Sequence, residues 1–189
     1  MKASSLSGAG GKHDTLNVLW EDTERVFCKL WRDDAEGDRH AFTPVLTGAE
    51  HPTLESINRL TREYELKDYL DGAWALRPVE IVRERGRTML IVEYTAGEPL
   101  DRLIQEPMEI GRFLRLAVAL AAALSRLHGR GLIHKDIKPA NVLADAATGQ
   151  VWLTGFGTAS RLRASANRPN LPSSLRERLP IWRPSKRDE

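Results

Sequence analysis

The chain has 189 residues, one cysteine and a formal net charge of +2. That length suits one domain with a sizeable core, and a charge so near neutral gives no reason to expect nucleic-acid or anionic-membrane partners. The lone Cys28 rules out an intramolecular disulfide and reads as a small buried residue in a strand. The longest apolar run, Leu116 to Leu124, is too short to cross a bilayer, so the chain reads as cytoplasmic.

Residues 1–13 form a Gly/Ser/Ala-rich lead without the apolar core of a signal peptide, and read as flexible. Leu16 to Trp20 and Arg25 to Trp31 are apolar runs around the polar Glu21-Asp22-Thr23-Glu24, a hairpin signature. His40 to Leu46 reads as a third strand, weakened by Pro44. Thr53 to Leu70 carries Leu54, Ile57, Leu60, Tyr64, Leu66 and Leu70 at near-helical spacing. Two more strands, Ala75 to Val82 and Thr88 to Tyr94, flank the turn Arg83 to Arg87. After Gly97-Glu98-Pro99 come a short helix, Leu100 to Gln105, and an Ala/Leu-rich helix, Ile110 to His128, ended by Gly129 to Gly131. A short strand pair, Val142-Leu143 and Val151 to Leu153, follows around Ala147-Thr148-Gly149.

Between the long helix and that strand pair lies His134-Lys135-Asp136-Ile137-Lys138-Pro139-Ala140-Asn141. This stretch resembles the catalytic loop of Ser/Thr protein kinases, and the order of elements around it is similar to that family's. The resemblance implies an α+β, two-lobed kinase-like fold. Its N-lobe, residues 14–95, would be a five-stranded antiparallel sheet plus one helix, and its C-lobe, residues 96–162, helical and incomplete. It also implies roles. Asp136 would accept the proton of an attacking hydroxyl. Lys138 would neutralise charge on the moving phosphoryl group. Asn141 would hold magnesium beside ATP. Glu63 would be the helix glutamate that clamps an ATP-binding lysine. Val92 would be the gatekeeper, and the backbone of Glu93 and Thr95 would meet adenine. A protein substrate or partner domain is implied but not identified.

The site departs from the family in three places. Pro44 falls where the third-strand lysine is expected, and Lys29, on the second strand, reads as a solvent-facing lysine. The hairpin between the first two strands holds Trp20 to Glu24 in place of a Gly-rich loop, so backbone N–H groups cannot approach phosphates closely and three carboxylates would repel them. The stretch Leu153-Thr154-Gly155-Phe156-Gly157 puts glycine where the family's metal-binding aspartate belongs, and glycine has no side chain to bind a metal. Lys135 in place of the usual arginine gives up a bidentate fork. The pattern is that of a pseudokinase: phosphoryl transfer weak or absent, with a regulatory interaction module or a non-functional fragment as alternatives.

The closer likeness is to kinase-like domains that open large bacterial sensor histidine kinases. Residues 163–189 are Arg/Pro/Ser-rich without periodicity and read as a disordered basic tail. Arg176 to Glu189 and a following stop, read one nucleotide out of frame with suitable synonymous codons, spell AGTLAYMAPEQTGRM, an activation-segment ending with Ala-Pro-Glu. A frameshift near Leu162 is therefore expected. A C-lobe cut there would leave Leu114, Leu116, Val118, Leu120 and Leu124 incompletely covered.

Overall fold

Apolar residues at alternate positions, broken by short polar turns, build antiparallel strands with one buried face. The computed structural model describes residues 6–8, 14–49, 51–84 and 86–162, so the expectations for 163–189 lie outside the described residues. Strands β1 (Leu6–Gly8), β2 (Asp14–Glu21), β3 (Arg25–Asp33), β4 (Arg39–Thr47), β5 (Pro78–Glu84) and β6 (Arg87–Glu93) form an antiparallel sheet of order β1-β2-β3-β4-β6-β5. Five of these strands are the expected ones. The short β1 lies in the lead read as flexible and pairs with β2. β5 starts at Pro78 rather than Ala75, because the backbone of Ala75 and Leu76 pairs with Leu153 in the second half of the chain, although the Leu76 side chain stays with the sheet. Ala75 bridges Leu153, and Leu76 N–H donates to the Leu153 carbonyl at 2.9 Å.

Helix α1 (Leu54–Glu65) begins where Thr53 Oγ1 accepts the Ser56 N–H at 3.1 Å, an N-cap. It stops short of the expected Leu70, passing into a single 3-10 turn at Lys67–Tyr69. Its buried face, Leu60 and Glu63, turns toward the sheet, where Trp20, Phe27, Val45, Leu76, Leu90 and Val92 join Leu60 in one cluster. The sheet's opposite face holds Leu16, Cys28, Leu30 and Leu46. Cys28 is fully buried there, and burial pushes its thiol up to about 11.

The second half holds β7 (Glu98–Pro99), α2 (Leu100–Leu103), α3 (Ile110–Gly129), β8 (Leu132–Ile133), β9 (Val142–Ala144), β10 (Val151–Leu153) and β11 (Ser160–Arg161). The Glu109 carboxylate caps α3, and Gly131, at φ 71°, turns the chain out of it. β10, β9 and β7 form one small sheet, β11 and β8 another. Together they hold the catalytic-loop stretch beside Gly155–Thr158. The core here gathers Trp74, Leu116, Leu127, Leu132, Leu153 and Phe156. Leu116 is therefore buried, contrary to expectation, while Leu114 and Val118 are exposed, with Ile110 and Phe113 beside them. No helix among the described residues is long and apolar enough to cross a membrane.

Candidate active site

β8 and β9 fix the two ends of the His134–Asn141 loop. His134 is buried, its Nε2 donating to the Thr154 carbonyl at 3.0 Å and its Nδ1 accepting the Asp136 N–H at 3.3 Å. Burial lowers its pKa, against the pull of Thr154 and Asp136, so the ring is a neutral strut. Lys135 takes a left-handed φ of 68°, which bends the loop and presents Asp136. Asn141 Nδ2 donates to the Asp136 carbonyl at 2.8 Å and to its Oδ2 at 2.9 Å. Lys138 Nζ lies 3.1 Å from the same Oδ2. Partial burial opposes ionisation of Asp136, but Lys138 and the Asn141 amide outweigh it and hold the carboxyl below the usual range. The structure thus brings Asp136, Lys138 and Asn141 together.

Glu63 reaches this group from α1. It is buried, and its Oε1 accepts the Gly155 N–H at 3.2 Å. Burial raises its pKa; the Arg25 charge and the Phe156 and Gly155 N–H groups oppose that without cancelling it. Gly155 is left-handed (φ 79°, ψ 44°). α1 sits so close to the following turn that a Cβ on Gly157 would lie 2.8 Å from the Arg59 carbonyl oxygen.

The residue that sequence reasoning missed is Arg25. Its Nη2 donates to Asn141 Oδ1 at 2.6 Å, and Asp22 Oδ2 grips it through Nε at 3.0 Å and Nη2 at 2.7 Å. The acid-then-arginine spacing across the hairpin, set against the glycine at 155, was the available signal. The cavity between hairpin, α1 and loop, lined in part by Arg25, Arg59, Glu63, Asp136 and Asn141, has a volume of about 40 Å³. That admits a water or two, against roughly 300–1,000 Å³ for a typical ligand pocket.

The protein kinase domain family matches residues 36–176, three quarters of the chain. The chain belongs to the protein kinase domain family. It is 34% identical to Serine/threonine-protein kinase pkn2 of Myxococcus xanthus over 131 residues, 68% of this chain and 16% of that protein. It is 34% identical to CBL-interacting protein kinase 4 of Oryza sativa subsp. japonica over 173 residues, 88% of this chain and 35% of that one. It is 32% identical to Serine/threonine-protein kinase AfsK of Streptomyces griseus over 111 residues, 58% of this chain and 14% of that protein. The chain spans well under half the length of these relatives.

Within this kinase domain the register corrects the placement of Pro44. Val45 pairs with Leu90 and Thr43 with Val92, and Val45, Leu90 and Val92 share the cluster on α1. Strand alternation turns Pro44, paired with Ile91, to the other face. The cleft-facing position opposite α1 is thus Val45, which offers no cation either. Lys29 is not simply solvent-facing: it is half-buried, with its ammonium 4.2 Å from the Tyr94 ring centroid and 4.7 Å from that of Trp31. Val92 is 1% exposed, in one cluster with Leu143 and with Trp20 and Phe27, whose rings stack 4.8 Å apart. Glu93 and Thr95 shape the end of β6. The Glu93 carboxylate pairs with Arg77 at 3.3 Å, and Thr95 Oγ1 accepts the Gly97 N–H at 2.9 Å.

A magnesium ion needs hard oxygen donors in near-octahedral array. Gly155 offers no side chain, Asn141 Oδ1 already accepts from a cation, and among the described residues no three His, Cys, Asp or Glu side chains converge to hold a metal. The residues present do not fit the ion.

Proposed function

We propose that this chain is a Ser/Thr-type kinase domain that has kept the group steering a hydroxyl and lost the groups handling a nucleotide. Its transfer of phosphoryl from ATP to protein is weak or absent, and it works as a pseudokinase. The observation that carries this reading is the Arg25 contact to Asn141 Oδ1 beside a glycine at 155. The would-be metal ligand is spent on a side chain. Loss of a charged metal ligand costs about 4 kcal/mol of transition-state stabilisation, a thousandfold in rate. The base itself is supported by the lowered pKa of Asp136, which keeps it ionised at neutral pH.

The test is transfer of labelled γ-phosphate to a generic Ser/Thr substrate, comparing the chain with Asp136→Ala. Equal, background-level incorporation is expected. Incorporation that Asp136→Ala abolishes would sink the pseudokinase reading. A regulatory interaction module is favoured by one further observation, the exposed apolar side chains of α3. A place at the head of a multidomain sensor protein rests on the sequence resemblance alone.

A further inference from the structure

Arg25 is held at both ends. At its base the Asp22 carboxylate accepts the Arg25 backbone N–H at 2.7 Å and clamps the guanidinium. At its tip Nη2 meets Asn141 Oδ1, which lies 116 residues further along the chain. Its side chain is only 12% exposed, so these contacts are largely shielded from water. A Cβ placed on Gly155 would come within 2.8 Å of Arg25 Nη1 and 2.6 Å of Asn141 Oδ1. The guanidinium therefore covers the very point from which a side chain at 155 would emerge. Glu63, buried beneath, feels the same positive charge.

We propose that Arg25 is the resident cation of this cleft: a tethered guanidinium that replaces a divalent metal, pins the β2–β3 hairpin to the catalytic loop, and leaves the domain indifferent to magnesium and manganese. This deepens the pseudokinase reading and rests on it. The chemistry is specific to arginine. Its fork can serve Asp22 and Asn141 at once, whereas a lysine offers one point charge. A metal brought to Asn141 would face that charge at contact distance. An acid at 155 would meet Arg25 before it met a metal, since a Cβ there already lies 2.8 Å from Arg25 Nη1. The tight hairpin that replaces a Gly-rich loop is what places Arg25, since Asp22 N–H bonds the Arg25 carbonyl at 2.9 Å to close it.

The experiment uses manganese alone as probe, with water-proton relaxation and thermal unfolding as readouts, on the chain, Gly155→Asp, Arg25→Met and the double variant. The chain and both single variants should show no saturable binding and no shift in Tm. The double variant frees Asn141 Oδ1 and adds a carboxylate beside Asp136, so it should bind manganese at least about tenfold more tightly than Gly155→Asp and rise in Tm with the metal. Manganese binding by the parent chain, or equal behaviour of Gly155→Asp and the double variant, overturns the proposal. Because Gly155→Asp can disturb packing, a second measurement avoids it: a stability cycle of Arg25→Met and Asn141→Ala. The two losses should fall short of additive, and strict additivity removes the pin. A chain that binds manganese yet transfers no phosphate leaves the functional reading standing and removes only this one. Transfer dependent on Asp136 removes the functional reading itself.

Discussion

Glu63 is an acid whose surroundings favour its neutral form. Burial raises its pKa above the ordinary glutamate value of 4.5, despite Arg25 and two backbone N–H groups. The unfolded chain gives up this proton near the ordinary value, and the folded chain only at higher pH. Between the two the native state binds more protons, so stability falls as pH rises. The contribution is complete below the ordinary value and gone above the folded one. Glutamine does not titrate. Glu63→Gln should therefore match the parent at about pH 4 and exceed it in Tm toward neutrality. Thermal unfolding of both across that range checks this, and parallel curves would refute it. His134 runs the other way, losing stability as pH falls below the ordinary histidine range. Both proteins carry it, so it cancels in the comparison.

Helix α1 and the turn at Gly155–Thr158 behave as one packed element. Gly157 permits the contact, since a Cβ there would lie 2.8 Å from both the carbonyl oxygen and the Cβ of Arg59. Helix backbone cannot yield as a flexible side chain can. Gly157→Ala should therefore cost about 1–3 kcal/mol, measured by denaturant unfolding, with the midpoint rather than the slope changing. A loss under about 0.5 kcal/mol, as at an unconstrained surface site, would contradict the close packing. At this scale much was legible in the sequence. The Glu21–Glu24 hairpin, the long Ala/Leu helix and the β9–β10 pair announce themselves through local period and turn residues. The loop motif located Asp136, Lys138 and Asn141 because their roles require fixed spacing along one short stretch. Pro44 was misassigned because strand faces alternate, so an offset of one residue exchanges cleft for back face. Ala75 and Leu76 read as strand, but their pairing with β10 is a long-range choice that no local pattern records. Arg25 was missed for the same reason, since its partner Asn141 is remote in the chain.

Across the whole molecule, α3 packs one stripe on the core and leaves another bare. Phe113 and Leu114 are each 54% exposed and Val118 69%. Apolar side chains clustered on one helix face favour association. Replacing Phe113, Leu114 and Val118 together by Lys, Glu and Lys should leave the unfolding free energy nearly unchanged and lower the weight-average mass seen by light scattering or sedimentation. Unchanged mass would show that this stripe does not drive association. Another consequence follows from the pairing of Ala75 and Leu76 with β10. Trp74 and Ala75 precede β5 and β6 in the chain, yet they belong to the core of the helical lobe, and Trp152 of that lobe donates its indole N–H to Gly72 at 2.9 Å. The two halves are thus not severable. A cut at the connection after β6 strands part of each half's interior on the wrong fragment, so neither piece inherits a finished core of its own.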